Sequence, residues 1–242
     1  MSIYLADTIN INRKLNNITA LKHVGFIDKY TKLLIPMNGI NDSNVFTDIA
    51  TGKAITTNGD AKISTAQSKF NGSSLILDGN GDYLSVEDST DFAFGTGAFI
   101  VDFYTYILST PAFGTFFDTR SADNANVGIS IGSNWLGTND KKIYIYVSTA
   151  NIQSDTLNLN QWYHISVIGN GGATGNRNIK LYIDGILIGT YSNDYNFTEE
   201  KCKIGSYGAV GLYSNCHMNM LRVSKGIERW TENFVIPNYP YV

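Results

Sequence analysis

The chain is poor in the residues that carry covalent cross-links, backbone breaks and charge. It has two cysteines, Cys202 and Cys216, in 242 residues, too few for a disulfide framework, so the expectation is a pair of reduced, half-buried thiols. Only four prolines interrupt it, and charged residues make up 16%, so the polar surface must be built from Asn, Ser, Thr and Gly. The net charge of −3 comes without any block of like charges. No basic stripe is available for nucleic acid or an anionic membrane, and neither is expected as a partner. No apolar run reaches the roughly 18 residues of a membrane span, and "MSIYLADTININRK" lacks a basic segment followed by an apolar core. The expectation is a protein without a signal peptide.

What is present is aromatic and turn-forming: 15 Tyr, 12 Phe and 23 Gly. That is the profile of a β-rich protein. Period-two alternation dominates. In "AFIVDFYTYI" Phe99, Val101, Phe103 and Ile107 point one way, and Ile100, Asp102, Tyr104 and Tyr106 the other. "QWYHISVIG" alternates in the same manner. "NIKLYIDGILIGTY" predicts a hairpin pairing 179–183 with 186–190 through a type I′ turn at Asp184-Gly185, where both residues need positive φ. Further strands are expected at 32–36, 61–63, 74–78, 82–87, 114–118, 127–131, 142–148, 202–205 and 216–223.

"SLILDGNGDYLSVE" spaces Asp78, Asn80 and Asp82 as an EF-hand loop spaces its first ligands. That loop also needs Gly at its sixth position and Glu at its twelfth, where this chain has Tyr83 and Ser89, and its flanks should be helices. Here they read as strands. The stretch is a hairpin turn with Asp78 and Asp82 bonding nearby backbone N–H groups; no metal and no cofactor are expected, and calcium is only the minor alternative.

The segments "LLIPMNGINDSNVFTDIATG", "AKISTAQSKFNGSSLILDGNGDYLSVEDSTDFAFGTGAFIVDFYTYI", "WYHISVIGN", "IKLYIDGILIGT" and "LRVSKGIERWTENFVIP" follow one another in order. Together they resemble the laminin-G-like branch of the concanavalin A-like lectin/glucanase superfamily, in the form found in bacteriophage virion proteins. The resemblance implies an all-β, concanavalin A-like jelly-roll sandwich of two antiparallel sheets over residues 31–242, with residues 1–30 as an N-terminal anchoring arm. Ten apolar residues between Ile3 and Ile27 are too many for a solvated tail. Where such domains usually read I-D-E-L-R-I-S, this chain has Met218-Asn219-Met220-Leu221-Arg222-Val223-Ser224, so a ligand role for an acidic pair is lost.

Glucanase relatives need two carboxylates flanking the glycosidic bond, supplied as Glu-x-Asp-x-Glu or Glu-x-Asp-x-x-Glu. None of Glu87, Glu199, Glu200, Glu228 and Glu232 begins such a motif, Asp102 reads as alone on its strand, and His23, His164 and His217 stand without a nucleophile partner. No catalytic residue is therefore assigned. Two roles remain. One is a virion structural protein, a capsid decoration or a tail or fibre component, whose partners are other virion proteins and whose oligomeric state is open. The alternative is an adhesin for a host surface glycan, with Trp135, Tyr144 and Tyr146 of "SNWLGTNDKKIYIYV" as stacking residues.

Overall fold

The computed structural model describes residues 27–121, 127–134, 140–147, 149–207, 211–238 and 240. Among the described residues every regular element is a strand: β1 (Thr31–Ile35), β2 (Ile55–Asn58), β3 (Lys62–Ser64), β4 (Ser74–Asp78), β5 (Tyr83–Val86), β6 (Phe99–Ser109), β7 (Gly114–Asp118), β8 (Ser130–Ser133), β9 (Ile143–Val147), β10 (Thr149–Gln153), β11 (Trp162–Gly169), β12 (Asn178–Ile183), β13 (Ile186–Ser192), β14 (Cys202–Ile204) and β15 (Asn215–Lys225). They form two antiparallel sheets. One runs β13-β12-β11-β6-β15-β4-β3, with β1 also paired to β15; the other runs β10-β9-β8-β7-β14-β5-β2. Sequence neighbours are often not sheet neighbours, since β6 lies between β11 and β15 and β14 between β7 and β5. The two sheets pack as the sandwich of a concanavalin A-like jelly roll.

The alternation read from the sequence explains the core. Phe99, Val101 and Phe103 of β6, Ile165 and Val167 of β11, and Leu181 of β12 face Phe117 of β7, Ile131 of β8, Ile143 and Ile145 of β9 and Ile204 of β14 in one cluster. Every one of these is fully buried, and the burial of each contributes roughly 1.5–3 kcal/mol. Cys202 and Cys216 also lie inside this cluster and are free. They are wholly buried rather than half-buried, and burial pushes the Cys216 thiol up to about 12.

The β12–β13 hairpin forms as expected. Ile183 pairs with Ile186, and Asp184 and Gly185 have φ of 50° and 80°. Two strands have no counterpart in the sequence reading, β2 and β10. Both are short edge strands, "ITTN" and "TANIQ", in which backbone pairing to β5 and β9 replaces apolar alternation. β8 begins at Ser130 rather than 127, and the 127–129 stretch enters it as irregular chain.

The outer face of the larger sheet differs from a simple half-buried strand pattern. Ile100, Asp102 and Tyr104 of β6 and His164, Ser166 and Ile168 of β11 are all fully buried. The cover is the segment after β15, whose Trp230 and Phe234 stack with ring centroids 3.9 Å apart and close over Ile100, Ile168 and Tyr182. Tyr104 donates its hydroxyl proton to the Pro237 carbonyl. Asp102 is consequently not alone. Its carboxylate accepts from Arg222 Nε (3.0 Å) and Nη2 (2.9 Å), with His164 Nε2 3.4 Å away.

Candidate functional site

The Gly79–Gly81 loop is a turn in the structure: both glycines have positive φ, and Asp78 Oδ1 accepts the Asn80 N–H (2.7 Å). Asp82 is buried and its two oxygens accept the backbone N–H groups of Asp60 (2.7 Å) and Asp78 (3.2 Å). Asp60, which the sequence did not associate with this loop, brings a third carboxylate, so that ligand atoms of Asp60, Asp78 and Asp82 lie within 4.8 Å of one another. Burial, with the neighbouring side chains of Asp60 and Asp78 adding to it, raises Asp82 to about 6. Both Asp82 oxygens are thus engaged in fastening the β2–β3 connection to the β4–β5 turn.

The sheet of β10 to β2 has a different character on its outer face. Cross-strand partners share a face, and the ladder places Tyr146 of β9 opposite Ser130 of β8, Ser130 opposite Asp118 of β7, Asp118 opposite Lys203 of β14, Lys203 opposite Ser85 of β5, and Ser85 opposite Thr56 of β2. One polar row crosses six strands. At its centre Arg120, just beyond the end of β7, folds back on Asp118. Its Nη2 lies 2.5 Å and its Nε 3.1 Å from Asp118 Oδ2, and its backbone N–H is 2.6 Å from Oδ1. The rings of Tyr146 and Tyr207 lie against the guanidinium, its carbon 4.6 and 4.1 Å from their centroids. Burial pushes the Asp118 carboxyl up, and the Arg120 guanidinium opposes that push.

A pocket of about 270 Å³ opens beside this pair, lined by Ser85, Val86, Asp88, Arg120, Ser121, Lys201, Cys202 and Lys203. Lys201 and Asp88 form an ion pair on its rim, and Lys203 lies 5.4 Å from the centre of the Tyr83 ring. A second depression of about 430 Å³ is lined in part by Asn193, Asp194 and Asn196. Its carboxylate, Asp194, is already engaged by the Gly175 N–H (2.7 Å) and Arg177.

Of the three aromatic candidates from the sequence, Tyr144 and Tyr146 share this outer face and Trp135 lies outside the described residues. Tyr144 is 3% exposed and its hydroxyl donates to the Asp140 carboxylate, an arrangement that with burial raises it to about 12. Tyr146 is half-buried against Arg120. Arg120, Asp118, Lys203 and Tyr207 were not legible as site residues. The only sequence signal was the pair Asp118 and Arg120 at a strand end, and nothing local shows that Lys203 arrives beside them. The acidic-pair position of the final strand is structural: Asn219 Nδ2 donates to the carbonyls of Pro36, Met37 and Ser73 and its Oδ1 accepts from Lys69 N, while Met220, at φ 54°, packs with Leu34 and Tyr104.

Domain 4 of AbnA, a GH43 extracellular arabinanase from Geobacillus stearothermophilus, solved with arabinotriose, superposes with a TM-score of 0.57 at 15% identity, covering 81% of this chain and 92% of that one. The binding domain of botulinum neurotoxin DC, solved with SialylT, gives 0.56 at 15% identity over 84% of this chain. The binding domain of Paraclostridial Mosquitocidal Protein 1 gives 0.53 at 12% over 83%. This chain spans about half the length of either toxin domain, 50% in both cases. These likenesses establish the fold. No curated protein sequence matches the chain. The Laminin_G_3 family model matches residues 78–210, more than half of the sequence, and the chain belongs to that family of the concanavalin A-like lectin/glucanases superfamily.

Proposed function

We propose that this chain is a non-catalytic carbohydrate-binding domain that holds its ligand on the outer face of the β10–β2 sheet, at the pocket beside Arg120. The observation that carries the reading is the row from Tyr146 to Thr56, which combines aromatic, hydroxyl and charged side chains across one sheet face and meets a pocket the size of a single sugar ring. The arabinotriose in the AbnA domain, a chain of matching extent, supports the same reading. A non-catalytic role is supported by Asp118, the carboxylate at the centre of the face. It is buried and tied to Arg120 by its own hydrogen bonds, whereas glycoside hydrolysis needs a pair of carboxyl groups about 5–10 Å apart and free to exchange protons with the substrate.

The setting we propose is a bacteriophage virion, with the domain displayed on a capsid, tail or fibre and a host surface glycan as its target. The support is the resemblance of the ordered sequence segments to the form of this family found in virion proteins, and the apolar residues within 1–30, which lie outside the matched family region.

The test is a glycan array on the whole protein followed by titration of the hits. Saturable binding is expected, weakened tenfold or more by Tyr146→Ala; Trp135→Ala tests the candidate whose position is not described. Silence across neutral and acidic glycans alike would overturn the reading.

A further inference from the structure

We infer that the pocket beside Arg120 takes the anionic group of an acidic saccharide, a carboxylate or a sulfate; the inference rests on the reading of this face as a glycan site. Arg120 is the reason. It is 1% exposed and is held by Asp118 along the Nε–Nη2 edge and by contact with the rings of Tyr146 and Tyr207. The remaining nitrogen, Nη1, is buried and has no hydrogen-bond partner among the described residues. A buried guanidinium N–H left without an acceptor is costly, and a planar guanidinium matches the oxygens of carboxylate and sulfate better than a lone hydroxyl.

The lining supplies the rest of an anion receptor. Arg120, Lys201 and Lys203 outnumber the single carboxylate Asp88, and the balance stays positive when Asp118 behind Arg120 is counted, in a chain whose net charge is −3. Ser85 and Ser121 offer hydroxyls to ring oxygens. The small positive excess at this one place, set among partners that immobilise Arg120 in advance, favours an anionic ligand over a neutral one.

The experiment titrates the whole protein with matched pairs: 3′-sialyllactose against lactose, digalacturonate against its methyl ester, and galactose 6-sulfate against galactose. The expected result is a preference of about tenfold or more for the acidic member of the carboxylate or the sulfate pairs, the pair showing it identifying which anion is read. The preference should shrink as salt rises from 0.05 to 0.5 M. Because Arg120→Met strands Asp118 in the interior and threatens the fold, the site is tested with Lys203→Met and with the paired change Asp118→Asn/Arg120→Met. Both should erase the preference, while Lys203→Arg keeps it. Equal binding of acidic and neutral members would overturn this inference and leave the glycan-binding reading standing. Binding of neither member of any pair would overturn this inference, and silence on the array as well would overturn both. A preference that survives Lys203→Met and the paired change would place the anion elsewhere and overturn the site.

Discussion

Asp102 is the residue on which the covered face of the larger sheet turns. Burial alone would raise its carboxyl, yet the charge of Arg222 and the hydrogen bond from His164 hold it well below the usual carboxylate range. All three side chains are buried, so removing the charge leaves the Arg222 guanidinium unpaired in the interior. Asp102→Asn should cost about 3–5 kcal/mol at pH 7, read by urea unfolding. The pH dependence follows from the direction of the shift. A carboxyl with a depressed folded-state value contributes its full stabilisation above its unfolded value of about 3.9, and loses it as pH falls toward the folded value. The gap between wild type and Asp102→Asn should therefore be the same at pH 7 and pH 5 and narrower at pH 3. A gap that stays constant down to pH 3 would show that Asp102 is not held ionised by its partners.

Among the elements, the β12–β13 hairpin shows how a turn can serve two layers. Gly185 has φ of 80°, and its carbonyl accepts the Phe234 N–H (2.9 Å) from the covering segment. A Cβ at this position would lie 2.0 Å from the Phe234 carbonyl oxygen. The turn alone asks for a residue tolerant of positive φ, and the covering segment asks in addition for no side chain. Gly185→Ala should destabilise by about 2 kcal/mol or more, with a loss of Trp fluorescence change on unfolding as Trp230 loosens from Phe234. A melt unchanged within a degree would mean that the covering segment does not pack on the hairpin as described.

For the whole molecule, the relation of the N-terminal segment to the sandwich is the testable matter. Asp28 already belongs to the domain, its carboxylate receiving Arg229 Nη1 (3.1 Å) and Nη2 (2.9 Å) and capping the N–H of Thr31 (3.0 Å). The described strands pair into two sheets around one core. If those residues anchor the domain in a particle, as we propose, a chain beginning at Ile27 should remain soluble with an unchanged melting temperature and fail to incorporate into virions. Unfolding or aggregation of the shortened chain would assign the segment to the domain's own core instead.

By itself the sequence determined the all-β class, the long central strands and the hairpin at Asp184-Gly185. Alternation in β6 and β11 and the demand for positive φ are local properties, and they survive any arrangement of the remaining chain. It also carried the family, through the order of several weak motifs. Tertiary structure decided what no local pattern encodes. The edge strands β2 and β10 exist because β5 and β9 offer unpaired backbone, not because their side chains alternate. The outward residues of β6 are dry because a segment more than 120 residues later folds over them. Tyr144 and Tyr146 were visible as outward aromatics, but the site they border was not, since Asp118, Arg120, Lys203 and Tyr207 are brought together by the insertion of β14 between β7 and β5. A binding face made from strands remote in sequence is a product of sheet order, and sheet order is set by the pairing and burial of the whole chain rather than by any stretch of it.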